Sequence, residues 1–247
     1  MNSIATASRP LPWLALALCL FASEVPAGSF QVNPIRVDIA KGSATTAITV
    51  RNDGDDALVI QASLVAWSQD DKGQDVYTPT NEALVTPPIM TVPAGGEQIV
   101  RVGLRRAPDP QRELTYRLYL EEVPPPPKPG FTGLQVALRV GVPVFVPPTV
   151  PAIRRLEWSA QIGADGAVRL TAQNTGNTHV QVTGFELWRP GAGEPLAHQT
   201  ALAYVLAGQR RLWTLPVPPD RVQAVSELRL KADTDAGAID TPVNVER

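Results

Sequence analysis

Side chains able to do covalent or metal chemistry are scarce in this sequence. Two histidines, His179 and His198, and one cysteine, Cys19, occur in 247 residues. A structural zinc site draws three or four ligands from Cys, His and carboxylates, so a His/Cys centre is not to be expected. A Ser-His-Asp or Cys-His nucleophile would have to be organised around one of the two histidines. Both read as surface residues, His179 beside a turn and His198 in a Pro/Gly-rich stretch. Asp53, Asp55 and Asp56 flank Gly54, but they lack the spacing and closing glutamate of an EF-hand and read as a solvated turn. Glu121 and Glu122 are adjacent carboxylates. Neighbours on a strand point to opposite faces, so these two cannot flank one glycosidic bond. No Gly-x-Ser-x-Gly elbow and no phosphate-cradling glycine loop occurs. The expectation is no enzyme, no metal and no cofactor.

Composition narrows the class further. Hydrophobic residues make up 44% and charged residues 19% of the chain, values that allow a packed core and argue against disorder. A balance of 22 basic against 24 acidic residues leaves no electrostatic footprint for nucleic acid. Residues 1–27 read as a cleaved signal peptide. Arg9 supplies the positive start, Leu11 to Ala22 form an apolar core broken by Pro12, and Val25-Pro26-Ala27 offers small residues at the cleavage site. That apolar run is well short of the roughly 20 residues of a transmembrane helix. Leu18 before Cys19 is not the small residue of a lipoprotein signal. Cleavage after Ala27 leaves a mature chain without cysteine, held together by burial alone.

The elements that must carry any site are strands, because the apolar period is two almost throughout. Segments 30–32, 37–39, 45–52, 57–67, 84–92, 97–104, 114–123 and 134–146 alternate or are β-rich, with turn signals at Asn52-Asp53-Gly54 and Asp70-Asp71-Lys72-Gly73. Pro87-Pro88 confines the 84–92 run to an edge or a bulge. About seven strands in about 120 residues is the count of an immunoglobulin-like sandwich. Pro147-Pro148-Thr149-Val150-Pro151 then marks a boundary. Strands resume at 153–158, 168–174, 180–188, 209–216, 222–231 and near Val243, while 200–206 reads equally as strand or helical turn. The expected fold is all-β: two immunoglobulin-like β-sandwich domains in tandem, 28–147 and 148–247, after the signal peptide.

The most informative stretch is 124–146. A stiff proline run, Pro124 to Gly130, leads into Leu134-Gln135-Val136-Ala137-Leu138-Arg139-Val140, with large apolar residues at every second place. A core strand is the plainest reading. A long alternating strand at a sheet edge is also suited to β-augmentation of another chain.

In order and spacing, several short stretches resemble the periplasmic pilus-assembly chaperones of the PapD-like family. They are Asn33-Pro34-Ile35-Arg36-Val37, Thr86-Pro87-Pro88, Gln98-Ile99-Val100-Arg101-Val102, Tyr116-Arg117-Leu118-Tyr119-Leu120-Glu121-Glu122-Val123-Pro124 and Leu134-Gln135-Val136-Ala137-Leu138. The resemblance implies a periplasmic protein that binds pilin subunits by donor-strand complementation and hands them to an outer-membrane usher. It implies no nucleic-acid partner and no small-molecule substrate, and it leaves open self-association of the free form. It places the donated apolar residues at Leu134, Val136, Leu138 and Val140. Arg36 falls on the arginine that holds the pilin carboxylate. The family's second anchor, a lysine, falls on Pro143, as in the divergent archaic branch; Arg117 is then the candidate substitute, with Arg101 and Arg139 as alternatives. Glu113 matches an acidic interdomain position whose basic partner falls on Pro147. The competing reading is an exported adhesive or carbohydrate-binding sandwich, which would need exposed aromatic platforms; Trp67, Trp158, Trp188 and Trp213 sit instead in strand-like runs.

Overall fold

The computed structural model describes residues 30–126, 129–130, 132–163, 166–218, 221–222 and 225–246. The expected signal peptide lies outside them, as do Pro127 and Lys128 of the proline run and Asp165 of a predicted turn. Among the described residues the regular elements are strands, with no α-helix.

Two sheets enclose the first core. Strands β1 (Phe30–Asn33), β3 (Thr45–Asn52), β8 (Glu97–Leu104) and β6 (Ala83–Thr86) form one sheet in that order. Strands β2 (Val37–Asp38), β10 (Arg139–Val146), β9 (Leu114–Glu122), β4 (Leu58–Gln69) and β5 (Asp75–Pro79) form the second, and β7 (Ile89–Val92) also pairs with β4. Period-two alternation aims Ile48 and Val50, Val100 and Val102, Leu118 and Leu120, and Val142 and Val144 into one cluster between the sheets. Each such side chain contributes about 1.5–3 kcal/mol when fully buried.

The second sandwich is one continuous ladder folded around its own core. Strands β14 (Ala197–Val205), β13 (Val180–Trp188), β16 (Glu227–Thr234), β17 (Gly237–Glu246), β11 (Leu156–Ile162), β12 (Val168–Asn174) and β15 (Arg210–Leu215) follow one another across it. Leu170, Val182, Leu187, Leu228 and Leu230 are fully or almost fully buried inside. The halves share a local device. Asn52 and Asn174 each end a strand buried, accept from the N–H of a glycine two residues on, and donate to backbone carbonyls, three for Asn52 and two for Asn174. Asn-x-Gly is therefore a structural repeat at a spacing too long, and in surroundings too dissimilar, to stand out in the sequence.

Several boundaries differ from expectation. The 84–92 run divides into β6 and β7, which belong to different sheets, because Pro87-Pro88 interrupts the ladder between them. Strand β5 carries almost no buried residue, so it has no alternation to detect. In the 153–158 run the ladder starts only at Leu156 and continues to Ile162, leaving Ile153 exposed. Val222 and Val225 pack on the core from outside the ladder, and the last-but-one strand starts at Glu227. Segment 200–206 is strand, as part of β14. The 134–146 run begins its strand only at Arg139.

The sandwiches are joined by directed contacts. The Gln69 side chain at the end of β4 donates to the Tyr204 carbonyl at 2.7 Å and accepts from Leu206 N at 3.0 Å. Asp75 pairs with Arg211 at 3.1 Å, and Trp67, Phe145 and Leu206 form a small buried cluster with Tyr204 against it.

Candidate functional site

Upstream of Arg139 the expected donor run stands away from the sheet. No residue from Thr132 to Leu138 belongs to a strand. Leu134 leaves 88% and Val136 73% of its surface exposed, while Leu138 and Val140 rest half-buried against the first core. With a side-chain period of two, Leu134 and Val136 continue the same apolar row as Leu138, Val140, Val142 and Val144. The outer margin of β10 is only partly closed. β2 pairs with Val144 and Phe145 alone, so the backbone groups upstream form an open sheet edge.

Arg36 sits just before β2, where the chain passes from the first sheet to the second. Its Nε lies 3.0 Å from Asp38 Oδ2, and its Nη1 3.5 Å from Asp235 Oδ2 of the second sandwich. Burial works against this cation, but Asp38 and the Tyr204 hydroxyl outweigh it and hold the guanidinium above its ordinary pKa. Burial also raises the Tyr204 phenol, with Arg36 and Arg117 both pulling the other way. Arg36 and Arg117 therefore act on the same hydroxyl, at the cleft between the sandwiches.

Arg117 lies on β9 between Pro143 of β10 and Val65 of β4. Its guanidinium stands 5.3 Å from the centroid of the Trp67 ring. Its Nε is buried and has no hydrogen-bond partner among the described residues. Gly141 makes room for this side chain, since a Cβ there would stand 2.9 Å from Arg117 Nε and 3.2 Å from Tyr119 Cε1. The floor beneath is aromatic. Tyr204 lies 5.5 Å from Trp67 and 5.3 Å from Phe145 between ring centroids, and Phe145 stacks on His179 at 3.6 Å. Two cations over such a floor, one with an unspent donor, suit a carboxylate.

The alternatives separate by place. Arg101 lies on β8 in the opposite sheet, paired across to Ala47 and Thr86. Arg139 lies on the same face as Arg117 but is engaged, 4.0 Å above the Tyr119 ring and 3.3 Å from Glu121.

His179 is a correction. It is 1% exposed rather than on the surface, whereas His198 is exposed. Glu113 Oε2 lies 2.8 Å from both the backbone N and Nδ1 of His179. Glu113, expected to sit between the domains, thus meets a residue of the second sandwich. The Asn174-Thr175-Gly176-Asn177 turn gave the only local signal, and nothing in the sequence showed that the residues after it turn inward. Tyr204 was missed for the same reason, since β14 had no settled assignment.

A search of curated proteins finds no sequence match to the chain. Solved structures are nonetheless similar in fold. A chain of the CsuC–CsuE chaperone–tip adhesion subunit pre-assembly complex, from archaic chaperone-usher Csu pili of Acinetobacter baumannii, matches with a TM-score of 0.65 at 19% identity, over 88% of this chain and 98% of that one. A chain of the Salmonella enterica SafA pilin–SafB chaperone complex matches with 0.58 at 18% identity, over 88% and 96%. The class 5 fimbriae chaperone CfaA matches with 0.58 at 16% identity, over 87% and 98%. Residues 29–151 match the family model described as pili and flagellar-assembly chaperone, PapD N-terminal domain. With that domain over the first sandwich and the chaperones' two-sandwich fold over most of its length, the chain belongs to the PapD-like family of pilus-assembly chaperones.

Proposed function

We propose that this protein is a periplasmic chaperone that holds pilin subunits by donor-strand complementation and passes them to an outer-membrane usher. The observation that carries the reading is the exposure of Leu134 and Val136 on a run with no strand partner. Two large apolar side chains in solvent at an open sheet edge are a hazard unless another chain covers them. An incomplete pilin sandwich offers such cover, taking alternate side chains into its groove and the free backbone into its ladder. In this reading Leu134, Val136, Leu138 and Val140 form the donated row, and Arg36 and Arg117 hold the pilin's terminal carboxylate. Residues 1–27 direct export, and the domains divide at 147–148. Pro143 in place of the family's lysine fits the archaic-type branch.

The reading is tested by pulling down the full mature chain from periplasm that also expresses a pilin. Wild-type protein is expected to bring the pilin with it, and Leu134→Asp/Val136→Asp to bring none while melting at the wild-type temperature. Equal capture by both would refute it. The adhesive alternative has little support, since Trp67 and Trp213 are buried and Trp158 packs on the second core.

A further inference from the structure

The backbone of β10 alternates in a way that fixes which of its groups a partner can reach. In an antiparallel ladder, successive residues point their N–H and C=O first toward the neighbour and then away. Glu122 N donates to Leu138 O at 2.9 Å, so Leu138 faces β9. Ile39 N donates to Phe145 O at 2.9 Å, so Phe145 faces the other way, toward β2. Both observations give one parity: Val140, Val142 and Val144 spend their backbone groups on β9, while Arg139, Gly141, Pro143 and Phe145 aim theirs at the outer margin.

Phe145 is already used by the chain itself, and Pro143 has no N–H to offer. The Pro143 side chain is buried and lies opposite Arg117, while its backbone faces the outer margin with a carbonyl and no donor. Proline is tolerated in a strand where its nitrogen faces an open edge, and here that place falls at the seam where β2 stops. We propose that Pro143 divides the outer margin of β10 into a stretch closed by the chain's own β2 and a stretch open to a partner's strand, with Gly141 the last backbone donor the partner can use. The division rests on the pilin-binding reading above, and it adds a limit to the length of the borrowed strand. It keeps the partner from growing past Gly141 and peeling β2, with Arg36 beside it, off the sheet.

The test uses the full mature chain and a pilin subunit that co-purifies with it. Amide exchange is compared for the free and bound chaperone. Arg139 and Gly141 are expected to gain protection on binding, and Ile39, which bonds Phe145, to keep its own. Loss of protection at Ile39, or none gained at Gly141, would overturn the division. Pro143→Val restores the donor at nearly the same volume, and Pro143→Ala restores it without the risk of crowding Arg117. One added bond should slow pilin dissociation about two- to tenfold in each. Unchanged or faster dissociation in both folded variants would overturn the division as well. If the wild-type chain captures no pilin at all, the chaperone reading itself fails, whereas failure of these arms with capture intact removes only the role of Pro143.

Discussion

At the scale of single residues, the two arginines of the cleft make the sharpest predictions. Arg36 bonds Asp38 and Asp235 in the free protein, whereas Arg117 keeps a buried donor unpaired. Removing one partner of a buried, hydrogen-bonded charge pair costs about 2–5 kcal/mol. Arg36→Ala and Arg117→Ala should each weaken pilin capture by about tenfold or more, and Arg101→Ala, on the far sheet, should leave it unchanged. Titrating a pilin with each variant checks this, and capture unaffected by Arg117→Ala would remove that residue from the anchor. A second prediction concerns pH. Burial and then Glu82, which its hydroxyl meets at 3.2 Å, push the Tyr116 phenol up to about 12. A raised pKa stabilises the fold fully below the phenol's ordinary value of about 10 and loses that contribution as pH climbs through the raised one. Wild-type protein should therefore melt above Tyr116→Phe at pH 8, and the gap should close as pH rises from 10 to 12. A constant gap would show that the phenol does not titrate there. The sequence singles out Arg36 by its place in a family-like motif and Arg117 by its place on the strand before the expected donor strand, and the fold brings both to the cleft. Gly141, Tyr204 and His179 were not legible there, because each matters only through a neighbour that the fold brings in from far along the chain.

At the scale of elements, the proposed donor segment is two segments. Leu138 and Val140 pack on the chaperone's own core, whereas Leu134 and Val136 touch little of it. Asp at Leu134 or Val136 should abolish capture with a normal melting temperature, since the carboxylate meets an apolar environment only in the complex. Leu138→Asp should lower the melting temperature of the free chaperone as well. Equal melting of all three would contradict the packing described. Strands with alternating burial, such as β3, β8, β12 and β13, were legible to the residue. The failures share a physical cause. β5 exposes nearly every side chain, and β6 and β7 looked continuous because periodicity cannot show that a chain changes sheets. Strand β10 looked five residues longer than it is, because an exposed apolar row has the same pattern as a buried one.

At the scale of the whole molecule, the cleft exists only while the two sandwiches keep their orientation. The Glu113–His179 contact, the Gln69 clamp on residues 204 and 206, and the Phe145–His179 stack hold them there. Glu113→Ala strips the partner from the buried His179 backbone N–H and from its Nδ1, and should destabilise the protein by about 1–3 kcal/mol. It should also broaden the interdomain distance measured by small-angle scattering, and unchanged melting and scattering would show that the contact is dispensable. The central claim is that the exposed row at Leu134 and Val136 is covered by a pilin. The most direct measurement is the soluble yield of a pilin expressed in the periplasm alone, with the wild-type chain, and with Leu134→Asp/Val136→Asp. The account predicts that pilin accumulates as a one-to-one complex only with the wild-type chain, and equal recovery in all three would contradict it.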